Sequence, residues 1–538
     1  MTSIETIADW AASLAFDDIP SGVLDLFRAQ RRSVLGAVAA SAEDPAAVRI
    51  RSVVESWAAS GACPLLGTDR TVGLEPAVYA GVALSVALDF DDYVCFGHTG
   101  HTAVLVPALA AAETASDGPE QVVAQAIANE VEARLGGAIL LGPMNGQLWA
   151  YIQAAGAALA TGRLLGLDRE RLAHALAISL AHPIRGTVPG FMAPDSKLLI
   201  AAEPAAAGIR AARLAAGGVT GPLDAIEDER GALAAFSYAP IRGILSGLGE
   251  GWATKTLCVK PYPGCAYIDT TVDALHDVLD GRTLRPDDVD QVLVEGGMLT
   301  TGMDALSAPY AELEPPTPVT INFNIAWNAA IVMLAGRLTE EETHPEWLAA
   351  HRDELAALRG RVRLAHDAEL TARSAAGFAR VLPAAALAHE VGLRRLAGAA
   401  RRVRAEHPAT GLGVGDLFGL VRSARSSSAS GASSVRAARS RRWWDPDALD
   451  EFTVTFPARV TVRLSGGETR IAQVDVPRGG AGNLEAPPTA VARAKLDQSG
   501  PRLWGDEGTA ALQQAIDADD PKLHRLLHTL VAARSSRA

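Results

Sequence analysis

The sequence is poor in aromatic residues, which make up 5% of its 538 residues, and its formal net charge is −13. A general nucleic-acid binder needs an excess of lysine and arginine to neutralise phosphates, so the charge argues against that class. No apolar run reaches about 18 residues, and the first ten residues lack a basic and then apolar pattern, so neither a membrane span nor a secretory signal is predicted. Four cysteines without paired metal spacing favour reduced thiols in the cytoplasm.

Helical patterns dominate what the sequence does contain. Apolar residues make up 49% of the chain, and alanine is abundant, which favours closely packed helices. Val123, Ile127 and Val131 recur every four residues, as on one face of an amphipathic helix. Similar segments alternate with Gly or Pro, so we predict one large all-helical domain over residues 1–256.

The pattern changes after a Pro/Gly-rich segment, Lys260–Gly264. Val289–Val294 is typical of a strand, and alternating valines from Val460 lead through Gly466-Gly467 into a second apolar run, as in a β-hairpin. We therefore predict a smaller α+β lid domain over residues 257–482, and a mainly α protein overall.

Two further segments complete the predicted organisation. An Ala/Arg/Ser-rich stretch near 372–450 is predicted to be an insertion in the lid domain; its arginines indicate either a solvated loop or a site for an anionic partner. Residues 483–538 return to a helical pattern and are predicted to pack on the helical domain.

The segment Asp89–Tyr93, followed by His98 and His101, carries the most chemistry. Three carboxylates within four residues are costly to place together unless they cap a helix, bind a cation or orient a base. A capped helix start with surface acids is one interpretation. A metal site is another, although the spacing fits no familiar zinc or di-iron pattern, and we predict none.

Several motifs, in matching order, resemble the MmgE/PrpD family, whose members include 2-methylcitrate dehydratase, cis-aconitate decarboxylase and iminodisuccinate epimerase. The resemblance covers residues 1 to about 370 and resumes near Phe456. The motifs that carry it are DFDD at 89–92 with His101, VPALAAAE at 106–113, EVEARLG at 130–136, Lys197 before AAAGIRAARLA at 205–215, and KPYPGC at 260–265.

The resemblance implies a two-domain subunit that forms a homodimer, with the active site between the helical domain and the lid. It implies no metal and no organic cofactor. It implies a small carboxylic acid as substrate, and a reaction that removes or adds a proton beside a carboxylate.

The resemblance also implies roles for single residues. Lys197 and Lys260 match the lysines that hold the substrate; the alternative for each is a surface lysine. His101 matches the pocket histidine that serves as base, although His98 could take its place. Asp89 is expected to orient that histidine. The last two expectations concern Tyr310, a candidate acid in the lid, and Tyr93, a substrate-binding residue where many relatives have threonine.

Departures from the family pattern leave the reaction open. Gln147 and Cys265, both expected to line the substrate pocket, and Ile200 stand where family members carry histidine. Glutamine cannot protonate a departing hydroxide. We therefore expect a lyase, either a dehydratase or a decarboxylase, with an epimerase or isomerase and a catalytically silent binding protein as the alternatives.

Overall fold

The computed structural model describes residues 1–95, 97, 99–114, 116–142, 150–183, 186–382, 384–406 and 446–527. Its helices are α1 Ser3–Ser13, α2 Ser21–Ala40, α3 Pro45–Trp57, α4 Leu74–Val86, α5 His101–Thr114, α6 Gly118–Ala138, α7 Gln153–Leu164, α8 Arg169–Ala181, α9 Val188–Met192, α10 Leu199–Ala216, α11 Ala232–Phe236, α12 Asp269–Leu279, α13 Met298–Ala311, α14 Pro318–Ile321, α15 Ile325–Ala335, α16 Pro345–Ala350, α17 Arg352–Arg359, α18 Ala368–Ala379, α19 Ala384–Val391, α20 Leu393–Glu406, α21 Pro446–Asp450 and α22 Pro488–Asp517. Its strands are β1 Ser60–Pro64, β2 Thr71–Val72, β3 Asp92–Val94, β4 Leu257–Val259, β5 Val289–Gly296, β6 Val362–His366, β7 Ala458–Leu464 and β8 Thr469–Val474. The predicted mainly α fold is confirmed. No helix among the described residues is long and apolar enough to cross a membrane.

Polar side chains fix where the N-terminal helices begin. The hydroxyl of Thr2 accepts a hydrogen bond from the backbone N–H of Glu5, and the Glu5 carboxylate accepts one from the N–H of Thr2. This capping box satisfies two N–H groups that an α-helix leaves without a partner. Asp117 and Asp168 cap α6 and α8 in the same way, each accepting from a backbone N–H three residues on.

Small residues let α7 and α10 approach closely. A Cβ atom at Gly208 would lie 2.3 Å from the carbonyl oxygen of Ala154 and 2.6 Å from the Cβ of Ala157. Only glycine fits such a contact without moving the backbone. The alanine-rich composition is therefore used in tight helix packing, which holds the start of α10, and with it Lys197, against the helical core.

A four-stranded sheet forms the centre of the region that was predicted to be the lid. Its strand order is β6-β5-β7-β8, with β5 and β6 parallel and the other two pairs antiparallel. Val292, Val460 and Val462 are fully buried beneath helices α12 and α15. The strands predicted near 289–294 and from Val460 onward are confirmed, since alternating valines bury one face of each strand.

A short strand pair joins the two parts of the chain. β3 and β4 pair antiparallel, with Asp92 opposite Val259. The backbone N–H of Lys260 donates to the carbonyl of Asp91 at 3.2 Å, and the N–H of Gly264 donates to the carbonyl of Leu88 at 3.0 Å. The KPYPG segment thus runs alongside the turn that carries the three aspartates.

The last long helix, α22, lies along α2. A Cβ at Gly36 would lie 3.0 Å from Cγ of Lys495, and Arg32 donates to Gln513 at 2.6 Å. The close contact at Gly36 brings Lys495 into the interior. Residues 407–445, which contain much of the predicted insertion, lie outside the described residues.

Candidate active site

A left-handed turn between α4 and β3 exposes the carboxylate of Asp89. Asp89 has φ +53°, a conformation that aspartate tolerates better than most residues. Its N–H donates to the carbonyl of Val86 at 2.9 Å, which fixes the turn at the end of the helix. Neighbouring Asp91 and Asp92 are buried, so Asp89 is the most exposed acid of this motif.

Two buried ammonium groups converge on Asp89. Lys197 Nζ donates to Oδ2 at 3.1 Å, and Lys260 Nζ donates to Oδ1 at 3.2 Å and to the backbone carbonyl of Asp89 at 2.8 Å. The amide of Asn322 donates to Oδ2 at 3.2 Å. The structure therefore brings together the two lysines and the aspartate that the sequence analysis selected.

His101 contacts Asp91, the next carboxylate of the acidic motif after Asp89. Its Nε2 is 3.1 Å from Oδ2 of Asp91, and its Nδ1 is 2.8 Å from the hydroxyl of Ser85. Asp91 also forms an ion pair with Lys260. The expectation that Asp89 orients this histidine is therefore corrected: Asp91 does so, because the left-handed turn directs Asp89 toward the lysines instead.

The two lysines differ in their electrostatic surroundings. Burial lowers the pKa of Lys260, but the carboxylates of Asp89 and Asp91 outweigh burial and raise that pKa above its ordinary value. For Lys197, burial dominates and lowers the pKa, and Asp89 only partly offsets it. Burial would raise the pKa of Asp91, yet Lys260 and His101 hold it well below its usual range. Lys260 is therefore a fixed cation, whereas Lys197 gives up its proton more readily.

The two lysines also differ in their unused donors. An ammonium group has three N–H donors. Lys260 has contacts to the carbonyl and carboxylate of Asp89 and to Asp91. Lys197 makes one hydrogen bond to the described residues, the one to Asp89. Lys197 is therefore the ammonium group with donors to offer a ligand.

Aromatic and sulfur-containing side chains surround Lys197 on its other side. Its Nζ lies 4.8 Å from the ring centroid of Phe191 and 4.6 Å from that of Phe323. These rings form a buried apolar cluster together with Met192, Cys265 and Met303, and Tyr310 packs half-buried against it. Burial raises the pKa of the Cys265 thiol to about 12, so this side chain stays neutral.

The remaining predicted residues divide into those that the structure places and those that it leaves out. Tyr93 lies on β3 opposite Cys258 of β4, and its ring packs against Phe456. Burial raises the pKa of Tyr93 well above its ordinary value. His98 and Gln147 lie outside the described residues.

Two residues near the site carried no signal in the sequence. Asn322 follows the short helix α14, and its side-chain amide donates a hydrogen bond to the carboxylate of Asp89. Lys495, on α22, donates to Ser33 at 3.1 Å and to the backbone carbonyl of Phe90. A single lysine on a charged helix is typical of a solvated face, so only the contact between α22 and α2 reveals that Lys495 is buried.

Comparison with known proteins gives two consecutive family matches. The model for the MmgE/PrpD N-terminal domain matches residues 5–241, and the model for the MmgE/PrpD C-terminal domain matches residues 262–406. The insertion was predicted to begin near residue 372. The second match continues beyond that point and includes α20. The site described above draws residues from both matches.

Curated relatives are more distant. A cis-aconitate decarboxylase from Aspergillus terreus is 27% identical over 294 residues, which are 51% of this chain and 60% of that protein. The cis-aconitate decarboxylase-like protein oryM from Aspergillus oryzae is 24% identical over 279 residues, 47% of this chain and 57% of that protein. The chain thus spans about 60% of the length of the curated relatives it matches.

Proposed function

Since the chain belongs to the MmgE/PrpD family, we propose that it is a lyase that moves a proton beside a carboxylate of a small polycarboxylic acid. The observation that carries the proposal is the buried Lys197 ammonium, which makes one hydrogen bond to the described residues and lies 4.8 Å and 4.6 Å from the ring centroids of Phe191 and Phe323. An ammonium group in such surroundings gains strongly from binding a carboxylate.

Lys260 holds the site together in this proposal. Its raised pKa keeps it charged, and its contacts to Asp89 and Asp91 fix both aspartates. A fixed positive charge beside the substrate carboxylate stabilises the negative charge that develops when the neighbouring carbon loses a proton.

Lys197 and Tyr310 are the groups proposed to exchange protons with the substrate. Burial lowers the pKa of Lys197, which eases the release of its proton to a substrate. Tyr310 borders the same apolar cluster from α13. His101, with its ring nitrogens against Ser85 and Asp91, acts through Asp91 in the arrangement seen here.

An epimerase or isomerase is the second candidate, and the Cys265 thiol favours it. The sequence has cysteine at a position where some family members have histidine, and burial raises the pKa of that thiol to about 12. A neutral thiol is a poor acid for expelling hydroxide. Exchange of a proton on one carbon does not need that step.

A panel of citrate-, aconitate- and succinate-like acids tests the proposal. Each acid is incubated with the purified protein in deuterated water, and the mixture is followed by mass spectrometry and proton NMR. A lyase yields a product of different mass, whereas an isomerase yields deuterium exchange without loss of water or carbon dioxide. If the acids bind but neither change occurs, the chain is a binding protein and the proposal is wrong.

A further inference from the structure

A cluster of apolar side chains, called the wall below, lies beside the ammonium group of Lys197, which has unused hydrogen-bond donors. We define the wall as Phe191, Met192, Cys265, Met303 and Phe323, all of which are buried. The rings of Phe191 and Phe323 meet edge to face, with centroids 5.1 Å apart. Lys197 lies between this wall and Asp89, so a carboxylate held by Lys197 has apolar neighbours.

The wall is built from both family matches. Phe191 and Met192 belong to α9 within residues 5–241, whereas Met303 and Phe323 belong to the part within residues 262–406. Cys265 donates its backbone N–H to the carbonyl of Asn322, the residue whose amide reaches Asp89. The wall thus lies where the two parts meet, as the lysine pair does, and not inside the core of either part alone.

The charges near Lys197 leave little room for additional anions. Lys197 and Lys260 are opposed by the carboxylates of Asp89 and Asp91. With both lysines and both aspartates charged, these four groups carry no net charge. Each further carboxylate on a substrate would have to leave water without an unpaired cation among the described residues that contact Asp89 or Asp91, which is costly in a buried site.

The wall supplies no strong donor for a third carboxylate. Phenyl rings and thioethers donate no hydrogen bond, and a thiol is a weak donor. The residues around the edge of the wall are also largely apolar. Val188, Ile200 and Leu306 are half-buried there, and the tyrosines Tyr267 and Tyr310 lie beside them. Such a surface gains free energy by burying alkyl or aryl groups.

We infer that the substrate has at most two carboxylates and carries an apolar substituent beside the carboxylate that Lys197 holds, so that the substituent packs on the wall. This inference rests on the proposed function, because it assigns the substrate carboxylate to the same lysine. It excludes a tricarboxylate as the preferred ligand.

A matched series of succinates tests the inference, since its members differ only at one carbon. At that carbon, succinate carries hydrogen, ethylsuccinate and phenylsuccinate carry an apolar group, and propane-1,2,3-tricarboxylate carries the group with the third carboxylate. Isothermal titration with the full-length protein measures binding, and NMR in deuterated water measures proton exchange. We expect ethylsuccinate or phenylsuccinate to bind about tenfold more tightly than the tricarboxylate, with succinate between them.

The two readouts separate this inference from the proposed function. Preferred binding of the tricarboxylate overturns the inference, while proton exchange in any member still supports the proposed function. If the apolar members bind preferentially but no proton exchange is seen, the result supports the inference and counts against the proposed enzymatic function. If no member binds, both are wrong.

A pair of variants locates the preference in the wall. Cys265→His introduces an imidazole beside Lys197, and we expect it to reduce or reverse the preference for the apolar ligands. Cys265→Ala, the matched control, adds neither a cation nor a hydrogen-bond donor and should keep the wild-type order. Circular dichroism confirms that each variant is folded, and the wild-type series decides the inference even if Cys265→His does not fold. An unchanged order in folded Cys265→His would show that the preference does not arise at the wall.

Discussion

His101 contacts Asp91, with Nε2 3.1 Å from Oδ2, and both side chains are buried. The other ring nitrogen lies 2.8 Å from the hydroxyl of Ser85. In this arrangement both nitrogens face protein groups, and Asp91 links the imidazole to Lys260. Lys197, by contrast, makes one hydrogen bond to the described residues, to Asp89, and has donors left for a ligand.

Replacing Lys197 should therefore cost more activity than replacing His101. Lys197→Met keeps most of the side-chain volume but removes the ammonium group, and we expect kcat to fall at least about 100-fold, the range for loss of an acid–base group. His101→Gln should reduce kcat by less. Steady-state kinetics on an acid that the panel identifies, with the exposed Lys522→Met as control, measures both. Equal losses would place His101 in direct contact with the substrate.

Asp91→Asn should destabilise the protein. The substitution removes the carboxylate that pairs with both Lys260 and His101, which keep only Asp89 and Ser85 as described partners, and loss of one member of a buried ion pair costs about 3–5 kcal/mol. Chemical denaturation should show a fall of this size in the free energy of unfolding. The control is Asp25→Asn, which removes an exposed pair with Arg28 and should cost less than about 1 kcal/mol. Equal effects would contradict the structural role of Asp91.

Lys495 should make stability depend on pH in the alkaline range. Burial lowers the pKa of Lys495 from 10.5 to about 7, and Asp91 and Asp92 only partly offset this. The positive charge of Lys260 lowers the pKa of Lys495 further, and the buried carboxyl group of Asp269 raises it. Between the two pKa values the unfolded chain binds more protons than the folded one, so this residue's contribution to the free energy of unfolding rises with pH.

Comparison with Lys495→Met measures that contribution. The wild-type protein should gain stability relative to this variant as the pH rises from about 7 toward about 10, because the cost of burying the charge is relieved when Lys495 loses its proton. Thermal or urea unfolding at pH 7, 8 and 9 provides the difference, with Lys522→Met as control. A difference that stays constant with pH would show that Lys495 remains charged.

The arginine-rich segment should be dispensable for turnover once its described helix is kept. The predicted insertion near 372–450 includes α20, which buries Ala399 and places Arg402 over the ring of Tyr238. The family match also ends at residue 406. Replacing residues 407–442 by a short Gly/Ser linker should therefore leave kcat within about twofold, since no motif lies there. Loss of activity on this replacement would show that the segment contributes to the pocket or to assembly.

Local patterns were sufficient to predict much of this protein. Apolar residues at every fourth position from Val123 predicted the helix that is α6, and alternating valines predicted β7, because burial acts on one face of an element over a few residues. The order of the motifs identified the family, and the motifs themselves supplied Asp89, Lys197 and Lys260. These three residues do converge.

Only the tertiary structure decided which aspartate meets which cation. Asp89 and Asp91 are two positions apart in one acidic motif, and it is the positive φ of Asp89 that turns one toward the lysines and leaves the other beside His101. Asn322, Lys495 and the apolar wall reach the site through contacts between segments far apart in the chain. Sequence periodicity records which face of an element is buried, but not which distant side chain packs against it, and that pairing sets the charge balance of the site.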